Sequence, residues 1–201
     1  TFEAAFLKAI RCLELGISGV NLPAVKDLEE SELRSRLKDA DDERIFIIAE
    51  ALRRGMSVQE IWEITRIDKF FLERFKNIVE FSQRLKKEKL DETLLRAAKK
   101  MGFSDQEIAE LQGVTEKYIR SLRKELKILP TYKLVDTCAG EFDAYTPYYY
   151  SCYEEENEAV HDSRERKIVV IGSGPIRIGQ GVEFDYCSVH CVWALREAGI
   201  K

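Results

Sequence analysis

The stretch Gly172-Ser173-Gly174-Pro175-Ile176-Arg177, continued by Gly179-Gln180-Gly181, has the residue types best suited to chemistry in this chain. A glycine-rich turn between a strand and a helix can present backbone N–H groups to an anion at the helix start. Two known patterns fail here. The sixth position of the run is Arg177 and Pro175 follows the second glycine, which departs from the dinucleotide fingerprint. Gly179 precedes Gln180 instead of a Lys-Ser/Thr pair, which departs from the phosphate-cradling loop. On local features the loop serves equally well as an anion cradle or as a tight turn for close helix–strand packing. Glu183 and Asp185 lie two apart, so on a helix they point to different sides and suit the macrodipole better than shared acid–base work. His161 and His190 have no nucleophile and carboxylate arranged around them. No catalytic residue is expected.

The five cysteines, Cys12, Cys138, Cys152, Cys187 and Cys191, are odd in number and form no CxxC pair. Cys187 and Cys191 are one helical turn apart beside His190, without a second ligand pair. We expect no metal site, and small, buried, reduced thiols.

The elements that would position the glycine loop are a buried-type strand from Lys167 and an amphipathic helix running towards Lys201. A parallel strand buried on both faces needs neighbours, and the sequence holds no second strand for it. The chain therefore reads as a piece of something longer, as does Thr1-Phe2-Glu3 passing straight into a helix.

Before that unit the pattern is helical to about Ile128. Thr1 caps a first helix with Phe2, Phe6, Ala9, Ile10 and Leu13 in helical register, and Gly16 is the expected stop. Val25–Leu37 reads as one weaker helix. Asp41 or Asp42 opens the next, with Ile45, Ile48, Ala49 and Leu52 on one face and Gly55 as terminator. The centre repeats. Gly55–Glu73 aligns without gaps on Gly102–Arg120, 47 positions later, and each copy carries a capping box, Ser57 with Glu60 and Ser104 with Glu107. Each copy predicts a short helix, a tight turn and a second helix. Two copies are too few for a solenoid, so this is an internally duplicated helical domain. A long helix near Asp68–Lys89, with Phe71, Phe75, Ile78 and Leu85, is expected to anchor its core.

Composition bounds the function. With 45% hydrophobic and 34% charged residues the chain is an ordinary globular one, and no apolar run approaches membrane-spanning length. The acidic excess sits in residues 136–167, with 9 acidic against 3 basic groups, while residues 1–135 carry 24 against 26. That segment holds Tyr148-Tyr149-Tyr150, Tyr153 and Glu154-Glu155-Glu156, without helical or strand periodicity, and predicts an extended ordered connector. The tyrosines could stack bases, but the acids beside them would repel phosphates, so packing against a neighbouring domain is expected. The helix after Gly113 carries Lys117, Arg120, Arg123, Lys124 and Lys127 and could enter a major groove. Without a basic surplus, a free-standing helix-turn-helix DNA regulator is only the competing reading. A small-anion module using 172–181 is a third and weaker reading, because a site of that kind needs a finished sheet and a lone βα unit does not supply one.

Leu129–Glu154 and Lys167–Glu197 resemble the middle of the large chain of the carbamoyl-phosphate synthetase family. TFEAAFLKAIRCLE is similar to the segment leaving that family's first synthetase half, and GPIRIGQGVEFDYCSVH to the opening of its second. Ser173 and Ile176 are modest departures. The resemblance implies a mainly α fold: a helical oligomerization domain over 1–135, an acidic and aromatic connector over 136–166, and over 167–201 the truncated start of the second half's pre-ATP-grasp α/β domain. It implies a cytoplasmic parent ligase that makes carbamoyl phosphate from bicarbonate, ammonia and two ATP, with Mg²⁺ or Mn²⁺, for arginine and pyrimidine biosynthesis. Its implied partners are the rest of the large chain, a glutamine amidotransferase small chain and further copies of itself, with no nucleic acid and no membrane. Gly172, Gly174, Arg177, Gly179, Gln180, Gly181, Glu183 and Asp185 would line or shape the substrate and tunnel region, Gly181 keeping the passage open. ATP and metal would be held outside this segment, which would be structural and not catalytic alone.

Overall fold

The computed structural model describes residues 1–13, 15–145, 148–159, 166–172 and 183–200, with residues 183–185 described in their backbone alone. The chain divides into two compact units, Thr1–Glu158 and Ala159–Lys201.

The first unit is mainly helical. Helix α1 (Phe2–Cys12) begins where the Thr1 hydroxyl accepts the Ala4 N–H at 3.1 Å, as its sequence predicts. The expected single helix over 25–37 is two short ones, α2 (Pro23–Lys26) and α3 (Glu30–Arg36). The Arg54 guanidinium donates to the Lys26 and Leu28 carbonyls at 2.9 and 2.8 Å. Those acceptors are thus taken by a long-range partner and not by a continuing helix. Helix α4 (Arg44–Arg53) starts at Glu43 without a side-chain cap, Asp41 instead accepting the Glu43 N–H at 3.1 Å. Its burial is all-round, from Phe46 through Leu52, so the one-face reading was too narrow.

The duplicated segment forms α5 (Val58–Thr65) and α6 (Lys69–Lys87), then, after α7 (Glu92–Met101), α8 (Asp105–Gln112) and α9 (Glu116–Glu125). Helix α6 is the spine, packing on α1, α4, α5, α7 and α8. It buries Leu72, Phe75, Ile78, Val79, Phe81 and Leu85. Phe71 departs from expectation and is exposed. It sits on the solvent side of an aromatic group with Phe2 and Phe70, ring centroids 5.6 and 5.3 Å away.

After α9 the chain forms an antiparallel hairpin, β1 (Thr131–Leu134) with β2 (Tyr149–Cys152), in register Thr131↔Cys152 to Leu134↔Tyr149. The connector thus supplies one strand of the ladder, β2, where no strand periodicity was legible. Tyr148, Tyr149 and Tyr150 stay exposed, whereas Tyr153 packs on the helical core.

In the second unit, α10 (Glu183–Glu197) forms as predicted. Residues 166–172 join no sheet, and Val169 and Ile171 are 85% and 89% exposed. Among the described residues this segment has no strand beside it. Ile168, Val170, Val192, Leu195 and Ile200 line an apolar cleft of about 690 Å³ within this unit.

Candidate functional site

Of the glycine-loop residues, Gly172 alone is fully described. Gly174, Arg177, Gly179, Gln180 and Gly181 lie outside the described residues, as do the side chains of Glu183 and Asp185, which open α10. A methyl group on Gly172 would meet only the Ser188 hydroxyl at 3.9 Å, an ordinary contact. Space therefore does not require glycine at 172. His190 lies between Tyr186 and Trp193 on α10 with its ring tilted to both, at 4.1 and 5.0 Å between ring centroids. The expectation of buried thiols is corrected: Cys12, Cys187 and Cys191 are exposed, and Cys138 and Cys152 are half-buried, all five free. Nothing among the described residues covers the α10 face that carries Cys187 and Cys191.

The helical unit holds a set of buried charges at the corner of α7, α8 and α9. Gly102 ends α7 in the left-handed region, φ +101°, and a side chain there would press on the Ala4 Cα at 2.6 Å. The turn brings Lys99 of α7 onto the start of α8. Its ammonium donates to the Phe103 carbonyl at 2.7 Å and to Asp105 Oδ1 at 2.8 Å. Arg123 of α9 donates through Nε to Asp105 Oδ2 at 2.7 Å, and Arg120 stands 3.9 Å from the same oxygen. Both carboxylate oxygens are thus occupied. Burial raises the Asp105 carboxyl, but the hydrogen bonds from Lys99 and Arg123 outweigh it and hold the group below its ordinary range. Burial likewise lowers the Lys99 ammonium, against the pull of Asp105. The ammonium also lies 5.0 Å from the centre of the Tyr153 ring, so one cation fastens the connector to the helices. Burial raises the Tyr153 phenol in turn.

This arrangement clamps. Among the described residues it places no nucleophile beside a base, and its acids and bases neutralise one another. A cleft of about 710 Å³ opens beside it, lined by Lys8, Arg11, Lys100, Ser104, Gln106 and Arg120 among others. Sequence reading missed Asp105, although one signal existed. At the equivalent place in the first copy stands Val58, and a charge replacing a buried valine needs a buried partner.

The helix-turn-helix look of α8 and α9 is geometrically real, with Gly113 in the left-handed region at φ +65° and the Thr115 hydroxyl accepting the Tyr118 N–H. Two of its five basic groups are engaged within the fold: Arg123 is held against Asp105, and Arg120 is paired with Glu116 and Asp105. The DNA-reader alternative has no support.

Sequence comparison agrees with this geometry. Residues 1–127 match the family model described as carbamoyl-phosphate synthetase large chain, oligomerisation domain. Residues 164–201 match that of the carbamoyl phosphate synthase preATP-grasp domain. Relatives named carbamoyl phosphate synthase large chain, from Thermoanaerobacter sp. (strain X514) and Thermoanaerobacter pseudethanolicus (strain ATCC 33223 / 39E), are each 52% identical over 202 aligned positions. The alignments cover 100% of this chain and 19% of either relative, so the chain spans about a fifth of their length.

Proposed function

The chain belongs to the carbamoyl-phosphate synthetase large-chain family, and from that premise we propose that it is the structural centre of such an enzyme. Residues 1–135 act as the oligomerization domain, 136–166 as the connector, and 167–201 as the beginning of the second half's pre-ATP-grasp domain. The segment holds two synthetase halves in register and associates with further copies of itself. Catalysis resides elsewhere in the parent, a cytoplasmic ligase that makes carbamoyl phosphate from bicarbonate, two ATP and ammonia delivered from a glutamine-hydrolysing small chain. ATP and its Mg²⁺ or Mn²⁺ are held outside this segment. Gly172, Gly174, Arg177, Gly179, Gln180, Gly181, Glu183 and Asp185 shape the passage beside the second half's substrate site. No helix among the described residues is long and apolar enough to cross a membrane.

One observation carries the structural reading. The oligomerisation-domain match over 1–127 coincides with a helical body in which Lys99, Asp105 and Arg123 hold its own helices and the connector together. Sedimentation equilibrium of the 201-residue chain across a hundredfold concentration range tests it. Concentration-dependent association is the expected result. A monomer at every concentration would remove self-association and leave the linking role to be tested in the full-length enzyme.

A further inference from the structure

Where α1, the Ser18–Gly19 turn and α8 meet, the side chain of Glu107 is buried, and its Oε2 has no hydrogen-bond partner. Gly19 comes so close that a methyl group on its Cα would overlap the Glu107 carboxyl. Beside it, the Ser18 hydroxyl donates to Glu110 Oε2 at 2.6 Å, a bond across 92 residues of chain that pins the same turn to the same helix. The charges acting on Glu107 are Arg11 from α1, Glu110 from its own helix and Lys99 from α7. Arg11 donates to the Gly102 carbonyl at 3.1 Å, and Lys99 is committed to Phe103 and Asp105. From α9, Arg120 and Arg123 are directed at Asp105, and no charge on α6 acts on Glu107. An ionised carboxylate in this position would be both desolvated and short of a donor.

We propose that Glu107 stays protonated in the docked fold and is a pH-sensitive latch, releasing the Ser18–Gly19 turn from α8 when it ionises. Burial pushes the carboxyl up to about 8, Arg11 and Lys99 opposing the shift and Glu110 adding to it. In an opened turn the carboxyl is wetted and returns to the ordinary carboxylate range. Opening therefore becomes easier as pH rises from about 5 to about 8, and levels off above. The two histidines, His161 and His190, lie outside Thr1–Glu158.

Hydrogen exchange on the whole 201-residue chain, corrected for intrinsic rates between pH 5.5 and 8.5, tests the latch. In the wild type, protection of the 17–20 and 104–109 amides falls by up to about tenfold per pH unit to roughly pH 8, then levels. In Glu107→Gln it does not change with pH. Flat protection in the wild type, or the same fall in the variant, overturns the proposal. A carboxyl ¹³C titration of the unmodified chain decides independently of how well the variant folds. A Glu107 midpoint near 8 supports the latch, and one in the ordinary carboxylate range sinks it.

Discussion

The two copies of the duplicated segment share their punctuation and differ in what they do with it. In both, a serine caps the short helix, and a glutamine bonds a glutamate one turn on, Gln59 to Glu63 and Gln106 to Glu110, at 2.7 and 2.9 Å. In both, a left-handed residue ends it, Arg66 at φ 57° and Gly113 at φ 65°, and Asp68 or Thr115 caps the next helix. The glutamates of the capping motif then part company. Glu60 closes its box in solvent, accepting from the Ser57 N–H at 2.9 Å, and that backbone bond, helped by the Ser57 hydroxyl, lowers its carboxyl. Glu107 leaves its box half made. Ser104 still accepts the Glu107 N–H at 3.0 Å, but the carboxyl turns inward and is raised. Local sequence sets the cap, and the neighbour packed on top sets the ionisation.

The largest expected effect lies at positions 58 and 105, where the copies hold valine and aspartate. Asp105→Val strands Lys99 in the interior and is expected to lower stability by about 3–5 kcal/mol. Adding Lys99→Met restores part of that loss, since the buried Lys99–Asp105 pair is then exchanged for apolar groups while Arg123 still lacks its partner. Urea denaturation of the two variants reads the difference, and a double variant as unstable as the single would break the comparison.

Next come the fully buried equivalents Leu72 and Ile119, on helices of 19 and 10 residues. Leu72→Ala is expected to cost about 3–4 kcal/mol and Ile119→Ala about 2–3, because α6 packs on α1, α4, α5, α7 and α8 and cannot collapse into the gap. Equal losses would mean that the copies share the core evenly.

The pH behaviour of the two glutamates should run in opposite directions. Glu107 has a folded value above its unfolded one. Its contribution is complete at low pH and declines as pH rises towards about 8, with a slope approaching 1.4 kcal/mol per pH unit. Glu60 has a lowered folded value, so its contribution is present near neutrality and is lost as pH falls through that value. Midpoints of denaturation at pH 4, 6 and 8 for Glu60→Gln and Glu107→Gln check both signs.

The smallest effect is at the turns. Gly113→Ala is expected to cost about 1 kcal/mol, the penalty of a side chain in left-handed backbone. Arg66→Gly should gain less than that, because it gives up the Arg66 contact with Trp62, 4.8 Å to the ring centre. Melting temperatures resolve the pair.

What was legible beforehand was local. Thr1, Ser57, Ser104 and the repeat itself announce helix starts through side-chain-to-backbone bonds that span three residues. What was not legible depends on distant partners. Arg54 divides the 25–37 helix from 26 and 28 residues away, and Lys99 gives Asp105 and Tyr153 their places. The exposed side of Phe71 and the thiols of α10 were misjudged for a related reason, since periodicity marks an apolar face without saying whether anything covers it. The glycine loop is the reverse case. Its residues were the most specific in the sequence, and the described geometry reaches only Gly172.

The docking of α1 has a consequence in time. Arg11 meets Gly102 across 91 residues and Ser18 meets Glu110 across 92. At roughly 5–20 residues per second during synthesis, α1 and its following turn are made about 5–20 s before Gly102 and Glu110, their partners in those two bonds. For that interval both ties are missing on a growing polypeptide, and the segment is open to chaperones and to other nascent chains.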